Sequence, residues 1–325
     1  MISVDKTKTL QNIEDFEITK DLFEAVKHDE LEGERITRPT ISYWADVWRR
    51  LKQDKLAMLG LTIIIITIIM AIVGPMISGY TYEEQDFMYM NEKPNSQYWF
   101  GTDPLGRDMF TRTWYGTRYS LAIGILAALI DFTIGVLYGG VAGMSGRKLD
   151  SLMMRFGEII YSIPYLLVVI LISTMADTKG SGTSFLVMII AMTITGWVPM
   201  ALLVRGQVLQ LKESEYSLAA ISMGAKKSRI LRKHIIPNTL GPILVNVTLT
   251  IPRAIFAEAT LAFLSLGLQP PLPSLGNLAN DGLEGLAVGL GYQLYIPAIM
   301  ISLIMFAFNV LGDGLRDALD PRLRK

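Results

Sequence analysis

The chain has 325 residues, of which 51% are apolar, with 30 Lys and Arg against 30 Asp and Glu, two His and no Cys. Without Cys there is no disulfide framework and no thiolate metal site. His28 and His234 lie too far apart in sequence to suggest a local ligand pair, so neither zinc nor redox chemistry is expected, and no nucleic-acid partner is implied.

Residues 1–42 mix charges of both signs with scattered apolar positions and one short possible helix at 21–28, and read as a loosely ordered cytoplasmic tail. They lack the basic, apolar, small-residue order of a cleaved signal, so the first span is expected to remain as an uncleaved anchor. Tyr43, Trp44 and Trp48 beside Arg49 and Arg50 suit an amphipathic helix at headgroup level. Residues 56–76 carry no charge and match the roughly 20 residues that a helix needs to cross the hydrocarbon core. Similar runs at 120–143, 159–176, 184–204, 240–266 and 295–312 make six candidate spans in an all-α polytopic membrane protein. The expected divisions are the tail 1–42, the anchor, first span and outer loop 43–113, a five-helix core 114–312, and a second tail 313–325.

Lys and Arg distribution sets the orientation. Arg49, Arg50, Lys52 and Lys55 precede the first span; Arg147, Lys148 and Arg155 follow the second; Lys212, Lys226, Lys227, Arg229, Arg232 and Lys233 follow the fourth; Arg316, Arg322, Arg324 and Lys325 follow the sixth. The alternate loops hold Lys93, Arg107 and Arg112 offset by acids, then Lys179 alone, then no base in 267–294. Both termini are therefore expected in the cytoplasm.

In the outer loop, Asp103 is positioned to cap a short surface helix that begins at Pro104. Gly135, Gly139 and Gly143 strip one face of the second span and permit close packing, either generic or against another subunit. Prolines at 164, 199, 242, 252 and 297 each remove a backbone donor in or near a span, so kinked helices are expected. Asp131, Arg253 and Glu258 fall inside spans, where a charge costs about 2.5–3.5 kcal/mol at the helix centre. They either line a solute path or are satisfied internally.

The cytoplasmic link 206–238 is unusually long. It reads as a first helix with Leu218, Ala219 and Ala220 as small and apolar surface, a left-handed turn at Gly224, and a second, basic amphipathic helix from Ser228 that Pro237 closes.

Glu215-Tyr216, Ala219-Ala220, Gly224 and His234-Ile-Ile-Pro237-Asn238 resemble the EAA loop of permease subunits in bacterial ABC importers, in the form of the peptide and nickel branch. Gly101-Thr-Asp103 with Gly106-Arg-Asp108, Phe263-Leu-Ser-Leu-Gly267 with Pro270-Pro271 and Pro273-Ser274, and 312–321 (GDGLRDALDP) resemble the C-type subunit of oligopeptide and dipeptide permeases. The pattern departs at Leu218, where the general motif has glutamate, at Ile221, where this branch often has arginine, and at His234, where isoleucine is usual.

The resemblance implies a type I ABC importer permease fold. It implies a coupling loop carried by Glu215, Tyr216, Ala219, Ala220, Gly224, Arg229, His234 and Pro237, which would dock on cytoplasmic ATPases. It further implies a second paralogous permease, two ATP-binding subunits that hold ATP and Mg, an extracytoplasmic peptide-binding protein, and a bacterial cell membrane. The chain lacks the G-x-x-x-x-G-K-[ST] phosphate loop, so it is expected to be a transport subunit without its own ATPase site or cofactor. Nickel import is the alternative substrate reading. An ion-coupled secondary transporter, which commonly shows repeat symmetry, is a remote one, since no convincing repeat is present. An intramembrane enzyme would need a nucleophile and base, or metal ligands, within the spans, and none is seen.

Overall fold

The computed structural model describes residues 42–175 and 181–320. The expectations for 1–41, for Lys179 and for Arg322, Arg324 and Lys325 lie outside the described residues.

The described residues form helices and turns. Helix α1 (Tyr43–Leu51) is amphipathic, with Val47 and Leu51 buried and Trp44 and Trp48 exposed. Helix α2 (Lys55–Ser78) follows at once, its first turn capped by Asp54, which accepts from Leu56 and Ala57 N–H, and its end closed by Gly79 at φ +78°. Helix α3 (Met109–Met144) has 36 residues and is about 54 Å long at 1.5 Å per residue, well beyond a hydrocarbon core of roughly 30 Å. It extends past the predicted 120–143 because Met109 to Arg118, though partly polar, are packed inside the protein.

Helices α4 (Arg147–Ser162) and α5 (Tyr165–Met175) meet at Pro164 with a bend of 75°. The third predicted span, 159–176, is thus a broken element and not one straight helix, since proline disfavours helical geometry in the residue before it. Helix α6 (Ser181–Leu211), the short α7 (Glu215–Ser222), the long α8 (Lys227–Phe263), α9 (Leu275–Ala287) and α10 (Tyr292–Leu319) complete the order. Among the described residues five helices are long and apolar enough to cross a membrane, and six crossings result if the α4–α5 pair counts as one.

Helices α3 and α6 lie closely against one another. A Cβ on Gly139 would strike the Ala201 carbonyl, one on Gly135 the Met200 side chain, and one on Gly143 the Val208 side chain. The glycine face assigned to subunit packing therefore seats a helix of the same chain. Helix α10 packs on α2 and α8 through Ile64, Ile255, Ile304, Ala307 and Phe308. Its last turns do not form a separate tail as expected for 313–325. Gly314 meets Ala57, and Ala318 and Leu319 join Val47, Leu51 and Ala57 in a buried cluster.

The outer loop differs from expectation at Asp103. Pro104 starts a turn and not a helix, because Gly106 at φ +73° ends it at once, its N–H bonding the Asp103 carbonyl at 2.9 Å. Asp103 instead accepts from Leu105 and Arg107 N–H and pairs with Arg107 Nε at 2.6 Å. The cap of α3 is Asp108, which accepts from Thr111 N–H at 2.8 Å, and burial pushes its carboxyl above the usual range against the pull of those donors. Tyr292 Oη donates to the Thr102 and Glu92 carbonyls, which ties this loop to the start of α10.

Candidate coupling loop and intramembrane cavity

Helix α7 ends in a Schellman arrangement: Ala225 N–H donates to the Ala220 carbonyl at 3.0 Å and Gly224 N–H to Ile221 at 2.8 Å, with Gly224 at φ +80°. Nothing lies within 4 Å of where a Gly224 Cβ would stand, so only its backbone conformation demands glycine. Ser217 and Ala220 face inward, and Ala220 packs with Val204, Val208, Ile230 and Ile235. Ala220 is therefore an anchor and does not belong to the docking surface expected of it, whereas Ala219, the residue before it, is exposed.

The outer face of the loop is apolar. Tyr216, Leu218 and Ile221 are 40%, 51% and 51% exposed and Met223 is 82% exposed. Glu215, Arg229 and Pro237 are also exposed and His234 is half-buried. Met223 was missed by sequence reasoning. Its signal is its place directly before the turn glycine.

Pro237 does not close the second helix. The chain continues from Lys227 to Phe263 through a wide π turn at Leu231–Ile235. In an α-helix the ring of Pro237 would collide with the carbonyl of Lys233, four residues earlier, and that residue lies within the wide turn. Asn238 Nδ2 donates to the His234 carbonyl at 2.6 Å, so a side chain fills a place in the altered ladder. The candidate coupling segment is thereby continuous with a helix long and apolar enough to cross a membrane.

The base of this region is clamped by a bidentate ion pair. Arg205 Nε and Nη2 of α6 donate to the Asp150 carboxylate of α4 at 2.5 and 2.7 Å. Sequence reasoning missed the pair because 55 residues separate its members.

The intramembrane charges separate into two places. Asp131 and Arg253 line one cavity of about 270 Å³ between α3, α6 and α8, with Tyr161 and Tyr165 beside the Pro164 bend. Glu258 is fully buried elsewhere and accepts from Ser120 Oγ at 3.0 Å; the same hydroxyl accepts from Leu275 N–H at the start of α9. Glu258 thus holds three helices together and does not line the cavity.

Comparison with solved structures places the fold in a class. A chain described as "Inward facing conformations of the MetNI methionine ABC transporter" matches with a TM-score of 0.50 at 21% identity, covering 63% of this chain and 94% of that one. The fold is shared with that ABC transporter chain.

Family models then match two stretches of the chain. "Binding-protein-dependent transport system inner membrane component" covers residues 135–325 and "N-terminal TM domain of oligopeptide transport permease C" covers 42–94. The Bacillus subtilis dipeptide transport system permease protein DppC is 55% identical over 90% of both chains. The oligopeptide permease protein OppC of the same organism is 49% identical over 95% of this chain and 99% of its own, and that of Haemophilus influenzae is 42% identical over 87% and 90%. The chain belongs to the family of inner membrane components of binding-protein-dependent transport systems.

Proposed function

We propose that this chain is a C-type permease subunit of an ATP-driven importer of dipeptides or oligopeptides. The observation that carries the coupling role is the exposed apolar face of α7, Tyr216, Leu218, Ile221 and Met223, held by a Schellman turn on the continuation of a spanning helix. Exposed apolar surface of this kind, on a short and well-anchored helix, suits insertion into a groove on a partner. The partners are two cytoplasmic ATP-binding subunits, which hold ATP and Mg and perform the hydrolysis, and a second paralogous permease that completes the path. An extracytoplasmic peptide-binding protein delivers the substrate.

Closure of the ATPases moves α7, and the continuous α8 carries that movement into the membrane. The basic segments beside α1, α4, α7 and the end of α10 support a cytoplasmic location for both termini in a bacterial cell membrane. Peptides are favoured over nickel because the three relatives described above are named for dipeptides or oligopeptides.

The test is purification of the subunit from membranes with its partners, followed by uptake of labelled peptide and of nickel into vesicles. Co-purifying ATPases and a second permease with ATP-dependent peptide uptake are expected. A subunit that transports alone, or nickel uptake without peptide uptake, would refute the reading.

A further inference from the structure

The cavity between α3, α6 and α8 is lined by two residues of opposite charge, Asp131 and Arg253. Asp131 is only 6% exposed, yet its Oδ1 has no hydrogen-bond partner among the described residues, and the same holds for the Tyr165 hydroxyl. Arg253, on the same cavity, is exposed. No ion pair joins Asp131 and Arg253 among the described residues.

A buried carboxylate without a partner is costly, so a purely structural acid would be expected to find a donor. Here the surroundings make room for one that does not. Gly196 of α6 stands opposite, where a Cβ would lie 2.6 Å from Asp131 Oδ2. Pro199, also on the cavity, supplies no N–H for the carbonyl of Thr195, a further lining residue. Asp131 Oδ1 is therefore an acceptor left open beside the cavity, and the Thr195 carbonyl lacks its helical donor. At roughly 30 Å³ per water, the cavity has room for several waters or for the end of a peptide.

We infer that this cavity is a transit site for the free amino end of the peptide, with Asp131 and Tyr165 receiving the α-ammonium and Arg253 facing the carboxylate side. The inference rests on the peptide reading above and specifies which chemical feature of the substrate the permease itself senses. Recognition of termini, common to all peptides, leaves side chains unread.

The test is equilibrium binding of labelled trialanine to the purified permease–ATPase complex in nanodiscs, with N-acetyl-trialanine as competitor. Acetylation is expected to weaken binding about tenfold, the loss of one charge-assisted contact, and Asp131→Asn is expected to abolish that preference. Tyr165→Phe, which removes a single hydroxyl, should weaken trialanine binding about threefold and leave N-acetyl-trialanine unchanged. It carries the test if Asp131→Asn does not assemble. Equal binding of both ligands by the unaltered complex, or a preference that survives Asp131→Asn, overturns the site. Absence of binding alongside normal vesicle uptake of trialanine overturns the site alone, whereas absence of both overturns the peptide reading with it.

Discussion

Arg118 shows how a single side chain makes a proline tolerable inside a span. Pro75 gives no N–H to the carbonyl of Ala71, and Arg118 of α3 donates to that carbonyl from Nε at 3.0 Å and Nη2 at 2.8 Å, with its guanidinium over the Tyr115 ring. A membrane offers no water to the carbonyl, so the arginine and the proline depend on each other. Arg118→Leu should destabilise the subunit by about 1–3 kcal/mol, the cost of a buried acceptor left unmade. Pro75→Ala should recover much of that loss by restoring the donor, and thermal melts of the purified complex would show it; equal losses in both backgrounds would exclude the coupling. Gly139→Val is expected to be worse than either, because the new side chain meets the Ala201 backbone and no rotamer change relieves it. Membrane-inserted, assembled protein should fall sharply, measured by fluorescence-detected size exclusion.

Among the elements, α7 and its turn are the ones whose movement the importer would use. Gly224→Val keeps every contact, since the space around the glycine is open, but a left-handed conformation costs a side-chain-bearing residue about 1–2 kcal/mol, and a β-branched one at the upper end. The helix end should fray and the coupling fail. Assembly is expected to persist while ATP hydrolysis no longer drives uptake, and normal uptake per ATP would refute the role of Gly224. Part of this is legible in the sequence: Gly224, lacking a Cβ, can take the left-handed conformation that ends a helix. The inward turn of Ala220 and the π turn before Pro237 are not legible there, because each depends on what α6 and α8 present to the loop.

At the scale of the whole molecule, the exposed apolar tip of α7 implies a complex. Met223→Glu places a charge on the most exposed apolar residue of the loop and touches no internal packing, so it should abolish co-purification of the ATPases without lowering the amount of subunit in the membrane. Retained ATPases would move the docking surface elsewhere. The sequence by itself determined the helical class, five of the six spans and the place of the long loop at 206–238, since long uncharged runs and turn residues are local properties of the chain. It also named Asp131, Arg253 and Glu258 as intramembrane charges. Only the tertiary structure decided that Asp131 and Arg253 share a cavity while Glu258 joins three helices, that the glycine stripe of α3 serves α6 of the same chain, and that Asp150 holds Arg205. These are pairings between residues far apart in sequence, and helical periodicity fixes which face a residue occupies but not which neighbour that face will meet.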